Sequence, residues 1–272
     1  MNKDYLEKCL SNGMSTRQIE KDCGLNHRTI SYWISKYGLN DKSKYRKYDS
    51  YKFEKIDTKE KAYILGFLLA DGSIDEKNIV EVAVSLYDKE IVEYISKILQ
   101  ANINYDHTVD KKARRFPRAR LQKKIVDILK FTGGRLKADR HYPRVRDDLE
   151  RYLIQGLFDA DGCLTFGRRK DKNRLWQKIS FTSQLKILEG VQQYLIKKLN
   201  ISTALRPKGK EKCYVLEFAN LSDVLTFLEH IYPNDSFIIL KRKYLKYKAL
   251  RLELEENGES RISEQYRAEP TE

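Results

Sequence analysis

The sequence predicts an α+β protein built from tandem αββαββα repeats with pseudo-twofold symmetry, preceded by a small all-α unit. Three observations carry this expectation. The stretch YILGFLLADGSI at residues 63–74 has a twin, YLIQGLFDADGC at residues 152–163, and each holds a glycine six residues ahead of the glycine of a closing Asp-Gly. The segments downstream of the two twins are matched as well: two short alternating runs, a helical segment, two more strand-like runs and a last helix. The first forty residues instead carry helix-capping and helix-breaking signals and no alternating run.

With 272 residues, 41% of them hydrophobic, the chain can bury one large core or two modest ones and still fit a small extra module. Its longest apolar runs fall far short of the ~20 residues that a bilayer span needs. The N-terminus MNKDYLEKCL has no signal-peptide hydrophobic region, so a cytoplasmic location and no membrane partner are expected. Fifty-three Lys and Arg against 39 Asp and Glu leave a formal charge of +14. A field of that sign attracts polyanions and makes nucleic acid the leading partner class. The four cysteines, Cys9, Cys23, Cys163 and Cys213, show no metal-ligand spacing and do not pair with the four histidines.

In residues 1–40, Ser15 can cap the segment TRQIEKDC, Gly24 breaks it, and Asn26 can cap HRTISYWISKY before Gly38. Ile19, Cys23, Leu25, Ile30 and Trp33 or Ile34 fall where the two helices would face each other, and a helix around Tyr5 to Leu10 supplies a third partner. The pattern resembles a helix-turn-helix DNA-binding unit, which implies that Arg28, Thr29 and Tyr32 lie outward on the second helix, near the major groove. Glu20 departs from the small residue usual there. Residues 41–57 are basic and tyrosine-rich and read as a linker that lies along phosphates.

Residues 58–147 form the first repeat, 148–252 the second, and 253–272 a polar tail. After Asp71 come IVEVAVSLY, DKEIVEYISKILQ and NIN; after Asp161 come LTF, KISFTSQ, LKILEGVQQYLIKKL and NIS. Val126 lies as far beyond Asn102 as Val224 lies beyond Asn200, so the closing helices KKIVDILKF and LSDVLTFLEHI are expected in step. The second repeat is longer in its first hairpin, at GRRKDKNR. Gly66 and Gly156 are placed at the interface between the two twin helices, where each, with Ala70 or Ala160 four residues on, lets two backbones approach closely. That approach would justify the ~1 kcal/mol penalty of a mid-helix glycine.

Asp71 and Asp161 would then end side by side, each facing the negative end of its own helix dipole and the other's charge. Stability does not favour that arrangement; a divalent cation reverses its sign, since carboxylates and free helix-end carbonyls are oxygen ligands suited to Mg²⁺. Metal ions beside a phosphodiester can activate water and stabilise the leaving oxygen.

ILGFLLADG at residues 64–72 and IQGLFDADG at residues 154–162 resemble the two motifs of the LAGLIDADG homing endonucleases, and the duplicated αββαββα order resembles that family's core over roughly residues 58–250. The resemblance implies that Asp71 and Asp161 bind two or three Mg²⁺ ions, with the carbonyls of Ala70 and Ala160 as further ligands. It points to Lys241 in LKRK and Lys137 in RLKADRHYP as lysines near the scissile phosphates, and to Gln184 as a residue that positions water. Tyr87 stands where the first repeat would hold that glutamine. Asp159 has Leu69 as its counterpart and is read as a capping or polar contact, outside the chemistry.

The strands of both repeats are expected to form one curved sheet, a saddle whose open face fits duplex DNA. Basic clusters fall on its hairpins: Arg114, Arg115, Arg118 and Arg120 in the first repeat; Arg168, Arg169, Arg174, Gln177 and Lys178 in the second; and Arg206, Lys208 and Lys210 beyond. The expected activity is site-specific, metal-dependent cleavage of both DNA strands by a monomer at a long target site, with a staggered cut. A DNA-binding regulator without cleavage and an RNA maturase for intron splicing are the alternatives.

Overall fold

The computed structural model describes residues 1–11, 14–39, 51, 53–109, 115–168, 174–209, 213–233 and 240–256. The chain divides into two compact units, Met1–Ser50 and Tyr51–Glu272.

The first unit holds α1 (Lys3–Ser11), α2 (Thr16–Cys23) and α3 (His27–Lys36). The Ser15 hydroxyl accepts from the Gln18 amide and the Gln18 side chain accepts from the Ser15 amide, a reciprocal cap that satisfies two otherwise orphaned donors. Gly24 ends α2 at φ +72°, a left-handed conformation that suits glycine. Asn26 then caps α3 through the Arg28 amide. Leu6, Cys9, Ile19, Ile30, Ile34 and Leu39 form the core, with Cys23 and Trp33 packed partly against it. Leu25, expected in that core, is 43% exposed in the turn between Gly24 and Asn26.

The second unit begins inside what reads in the sequence as a linker. Tyr51 exchanges backbone hydrogen bonds with Lys124 and Val126, and Phe53 is wholly buried. Apolar Phe53 and Ile56 therefore belong to the core, while residues 41–50 lie outside the described residues.

Two series of elements come next in the same order. The first runs α4 (Lys59–Asp71), β1 (Ser73–Ile74), β2 (Ile79–Ser85), α5 (Lys89–Leu99), β3 (Ile103–Val109), β4 (Arg115–Lys124) and α6 (Ile128–Thr132). The second runs α7 (Glu150–Asp161), β5 (Gly162–Arg168), β6 (Leu175–Ser183), α8 (Leu185–Leu199), β7 (Ala204–Pro207), β8 (Tyr214–Phe218) and α9 (Leu221–Ile231), and α10 (Lys241–Glu256) closes the unit.

The strands form two antiparallel sheets rather than one, with orders β1-β2-β4-β3 and β5-β6-β8-β7. The edge strands β1 and β5 each pair with their own hairpin partner. Alternation puts Val80, Val82, Val84, Ala119 and Leu121 of the first sheet, and Leu164, Ile179, Phe181 and Leu216 of the second, against the helices.

Three boundaries differ from the sequence reading. In KKIVDILKF, Lys123 and Lys124 still belong to β4, Asp127 takes φ +63°, and the helix begins at Ile128. The long helices α5 and α8 end at Gln100 and Asn200, both left-handed, so the series are in step there rather than at Asn102 and Asn200. The polar tail also starts later than residue 253, since α10 continues to Glu256 with Leu254 buried. No helix among the described residues is long and apolar enough to cross a membrane.

The twin helices α4 and α7 make the most extensive helix–helix contact of the molecule. A Cβ built on Gly66 would meet the Leu153 carbonyl oxygen at 2.0 Å, and one on Gly156 would meet that of Tyr63 at 2.1 Å. The contact is reciprocal, because Tyr63 and Leu153 each lie three residues before their own helix's glycine. This backbone-on-backbone packing explains why α4 is buried from Ala62 to Ala70 without a polar stripe: its partner helix covers one side and its sheet the other.

Gly66→Ala and Gly156→Ala are each expected to lower unfolding free energy by at least the roughly 1–3 kcal/mol typical of overpacked cores, although alanine is the better helix former by about 1. Denaturant midpoints check this; unchanged or higher midpoints would contradict the packing. A second expectation concerns His230 on α9, whose ring hydrogen-bonds the Tyr194 hydroxyl at 2.5 Å. Burial, aided by the charge of Arg151, lowers its pKa from the usual 6.5 to about 4. The unfolded chain then takes up this proton first, so stability present above pH 6.5 is lost as pH falls toward 4. Discounted for partial solvent exposure, His230→Gln should flatten that acid limb by about 1–2 kcal/mol between pH 7 and 4.

Candidate metal and nucleic-acid site

At the ends of α4 and α7 the chain turns directly into strands. The Gly72 amide donates to the Leu68 carbonyl at 3.0 Å, and Gly162 caps α7 in the same way through Phe158. A Cβ at either glycine would meet that carbonyl oxygen at 2.6 Å, so close approach rather than unusual φ selects glycine here.

A buried cation sits against each helix end. Arg140, 1% exposed, donates through Nη1 to the carbonyls of Leu68 and Leu69 at 3.0 Å each, and through Nη2 to that of Arg135 at 3.2 Å. Lys243, 6% exposed, donates to the carbonyls of Phe158 and of Gly162, the latter at 2.5 Å, with that of Ala160 at 3.5 Å. Burial lowers the Lys243 pKa to about 8, opposed by the Asp159 charge.

Asp159, in the middle of this network, is 1% exposed and accepts from Tyr63 at 2.8 Å and from Tyr232. Burial raises its pKa to about 6, against the pull of the Tyr232 hydrogen bond and the Lys243 charge. It ties α4, α7 and the end of α9 together inside the core. This is a polar contact away from the open surface.

The closing aspartates differ from it and from each other. Asp71 is exposed and Asp161 partly buried. Burial raises the Asp161 pKa, and the negative charge of Asp71 raises it further, while Lys137 and Lys243 pull it down. Two carboxylates and two lysines thus act on one another at the junction of the twin helices. Paired carboxylates beside helix-end carbonyls form a hard oxygen donor set of the kind that takes Mg²⁺. No group of three or more His, Cys, Asp or Glu residues able to hold a metal occurs among the described residues. The carbonyl of Ala160 lies 3.5 Å from the Lys243 ammonium.

Lys137 opens a short 3-10 turn, Lys137–Asp139, and stands exposed with its charge felt at Asp161. Lys241 is exposed at the first residue of α10, two residues before the buried Lys243. Gln184 occupies the N-cap of α8 just past β6, partly buried and without a capping hydrogen bond. Tyr87 is 95% exposed. The neighbouring Asp88 pairs with Arg242 of α10 at 2.8 Å, joining the two halves of the unit.

On the open face of the first sheet, Arg120 forms ion pairs with Glu81 at 3.3 Å and Asp106 at 3.1 Å, and Arg118 donates to the Ala83 carbonyl. On that of the second, Glu217 receives Lys178 at 2.7 Å and Arg206 at 3.4 Å, and Lys208 donates to Thr182. Arg174 is exposed beside β6, and Arg115 opens β4. Arg114, Arg169 and Lys210 lie outside the described residues. In the first unit, Arg28, Thr29 and Tyr32 are exposed on α3.

Two residues expected on the DNA-facing surface lie on the other side. Arg168 pairs across the strands with Leu175 and forms an ion pair with Glu253 of α10 at 3.0 Å. Gln177, opposite Phe166, donates to the Ala219 carbonyl at 2.8 Å. The period of two explains both: they share parity with Leu164, Leu175 and Ile179, which face the helices.

Arg140, Lys243, Tyr63 and Tyr232 were not legible as site residues. A signal for Lys243 existed: with Tyr247, Leu250 and Leu254 it matches the helical period of the buried face of α10.

Residues 148–232 match the LAGLIDADG-like domain family. The homing endonuclease I-WcaI bound to its DNA recognition sequence resembles 71% of this chain over 87% of its own, with 14% identity and a TM-score of 0.51. The I-LtrWI LAGLIDADG homing endonuclease bound to target DNA resembles 73% of this chain over 91% of its own, with 12% identity and a TM-score of 0.50. No curated protein matches by sequence. Residues 148–232 are therefore similar to a LAGLIDADG-like domain, and the mixed α/β fold with its two four-stranded antiparallel sheets is similar to that of solved LAGLIDADG homing endonucleases.

Proposed function

We propose that the chain is a site-specific, metal-dependent endonuclease of the homing type that cuts both strands of duplex DNA with a stagger, acting as a monomer with two pseudo-twofold-related halves. The observation that carries this reading is the convergence of Asp71 and Asp161 at the ends of two helices packed backbone to backbone, with sheets bearing cationic side chains on either half. Arg140 and Lys243 offset the two helix dipoles, but the carboxylates still repel each other, and a cation shared between them removes that repulsion. The DNA-bound state of both structural relatives supports the same reading.

In this account Asp71 and Asp161 hold Mg²⁺, assisted by the carbonyls of Ala70 and Ala160. The bound ions supply Lewis-acid stabilisation of charge on the phosphate. Lys137 and Lys241 bring positive charge to phosphates beside the aspartates, and Gln184 orients water. Arg118, Arg120, Lys178 and Arg206 present donors to base edges or phosphates, with Arg115, Arg174 and Lys208 along the backbone. The three-helix unit extends the recognised site as a helix-turn-helix, through Arg28, Thr29 and Tyr32.

Incubation with Mg²⁺ and a randomised duplex library, then sequencing of cut ends, tests the reading directly. Staggered cuts at one long site are expected; binding without any cut would favour the regulator. Asp71→Asn and Asp161→Asn should each lower cleavage at least about a hundredfold, the scale of about 3 kcal/mol of transition-state stabilisation, while leaving DNA affinity within about threefold. Wild-type cleavage by either variant would sink the metal assignment. For six to ten phosphate contacts, affinity should fall about 10³- to 10⁵-fold between 50 and 200 mM salt. A nearly flat salt dependence would remove the basic faces from the account.

A further inference from the structure

Arg140 and Lys243 come from different parts of the chain and reach equivalent points. Leu68 and Phe158 each precede their helix's closing aspartate by three residues, and each of their carbonyls accepts from the following cap glycine. Arg140 donates to the first carbonyl and Lys243 to the second. Each also holds a second carbonyl next to the aspartate's turn: Leu69 for Arg140, Gly162 for Lys243. A carbonyl at a buried helix end has no further amide partner, and a fixed cation there also offsets the negative end of the dipole. Neither side chain reaches out to the surface, so neither is placed to touch DNA.

We propose that Arg140 and Lys243 are paired positioning residues, each clamping one helix end so that Arg140 fixes the orientation of Asp71 and Lys243 that of Asp161. The inference rests on the endonuclease reading for its consequence, which is that each clamp governs hydrolysis of one DNA strand. Arg140 has a second task in half one. Its bond to the Arg135 carbonyl anchors the loop that carries Lys137, so the same guanidinium holds both the Asp71 helix end and that loop. Lys243 is fixed in turn by its place on the buried face of α10 beneath Asp159.

Hydrogen exchange of the full-length, metal-free protein tests the clamps without any cleavage. Arg140→Met should speed exchange of segments spanning Gly72 about tenfold and leave those spanning Gly162 unchanged, and Lys243→Met should do the reverse. Strand-resolved nicking of the selected target adds the second readout. Each Met variant should slow one strand about tenfold, a different strand for each, with the other within about threefold. Arg140→Lys and Lys243→Arg, which keep a charged donor and guard against loss of folding, should recover most of both effects.

Exchange that stays unchanged, or that rises evenly along both helices, overturns the proposal, as does equal slowing of both strands. If the wild-type protein cuts neither strand while exchange responds locally, the clamps stand and the endonuclease reading falls. The exchange pattern decides the first question in every case.

Discussion

The contact of α4 with α7 is the constraint on which the rest of the second unit depends. Carbonyl oxygens approach to where the Cβ atoms of Gly66 and Gly156 would lie, so the helix axes are set by backbone rather than by adjustable side chains. A change in that separation would move both helix ends, both cap glycines and both strands that leave them. Sheets are tied to the same reference, because β5 starts at Gly162 and β1 one residue past Gly72. Placement of the aspartates is therefore a property of the core and not of a loop, which is what a site requiring ångström-level geometry needs.

Burying two helices on all sides creates a problem that the same region solves. Their terminal carbonyls have no water to accept from, and Asp159 brings a carboxylate into the interior. Arg140 and Lys243 satisfy the carbonyls, and Tyr63 and Tyr232 satisfy Asp159. The two halves reach this result with different residues. In the first, Leu69 takes the place of Asp159, so Arg140 has no buried acid beside it and leans on three carbonyls instead. Equivalent backbone geometry is thus supported by unequal side-chain chemistry.

The duplicated order of elements and the glycine contact were legible in the sequence because both rest on local pattern: period-two alternation, helix caps and small residues at helical spacing. What escaped it required distance information. Arg140 and Lys243 look like the solvated charges around them, and only the fold carries them under a helix end. The DNA-facing assignment fails at Arg168 and Gln177 for a different reason: a run of cations reads as one surface, while the strand sends alternate residues to opposite faces. Phe53 and Leu254 show the same limit at the boundaries, where a few apolar residues inside a charged stretch are drawn into the core.

Alternation also changes what the net charge of +14 means. Several described cations of the open sheet faces are already paired: Arg120 is shared between Glu81 and Asp106, and Lys178 and Arg206 share Glu217. An exposed pair of this kind contributes little to stability. Its larger effect is on orientation, since an arginine held by two acids on neighbouring strands has fewer rotamers to lose when it meets a base edge. Under the proposed function, DNA must then exchange those acids for its own acceptors, so these residues add less to raw affinity than their charge suggests and more to discrimination. Affinity would come instead from cations with no acid beside them in the sheet, and the division of labour between attraction and reading would be written into which basic residues are paired.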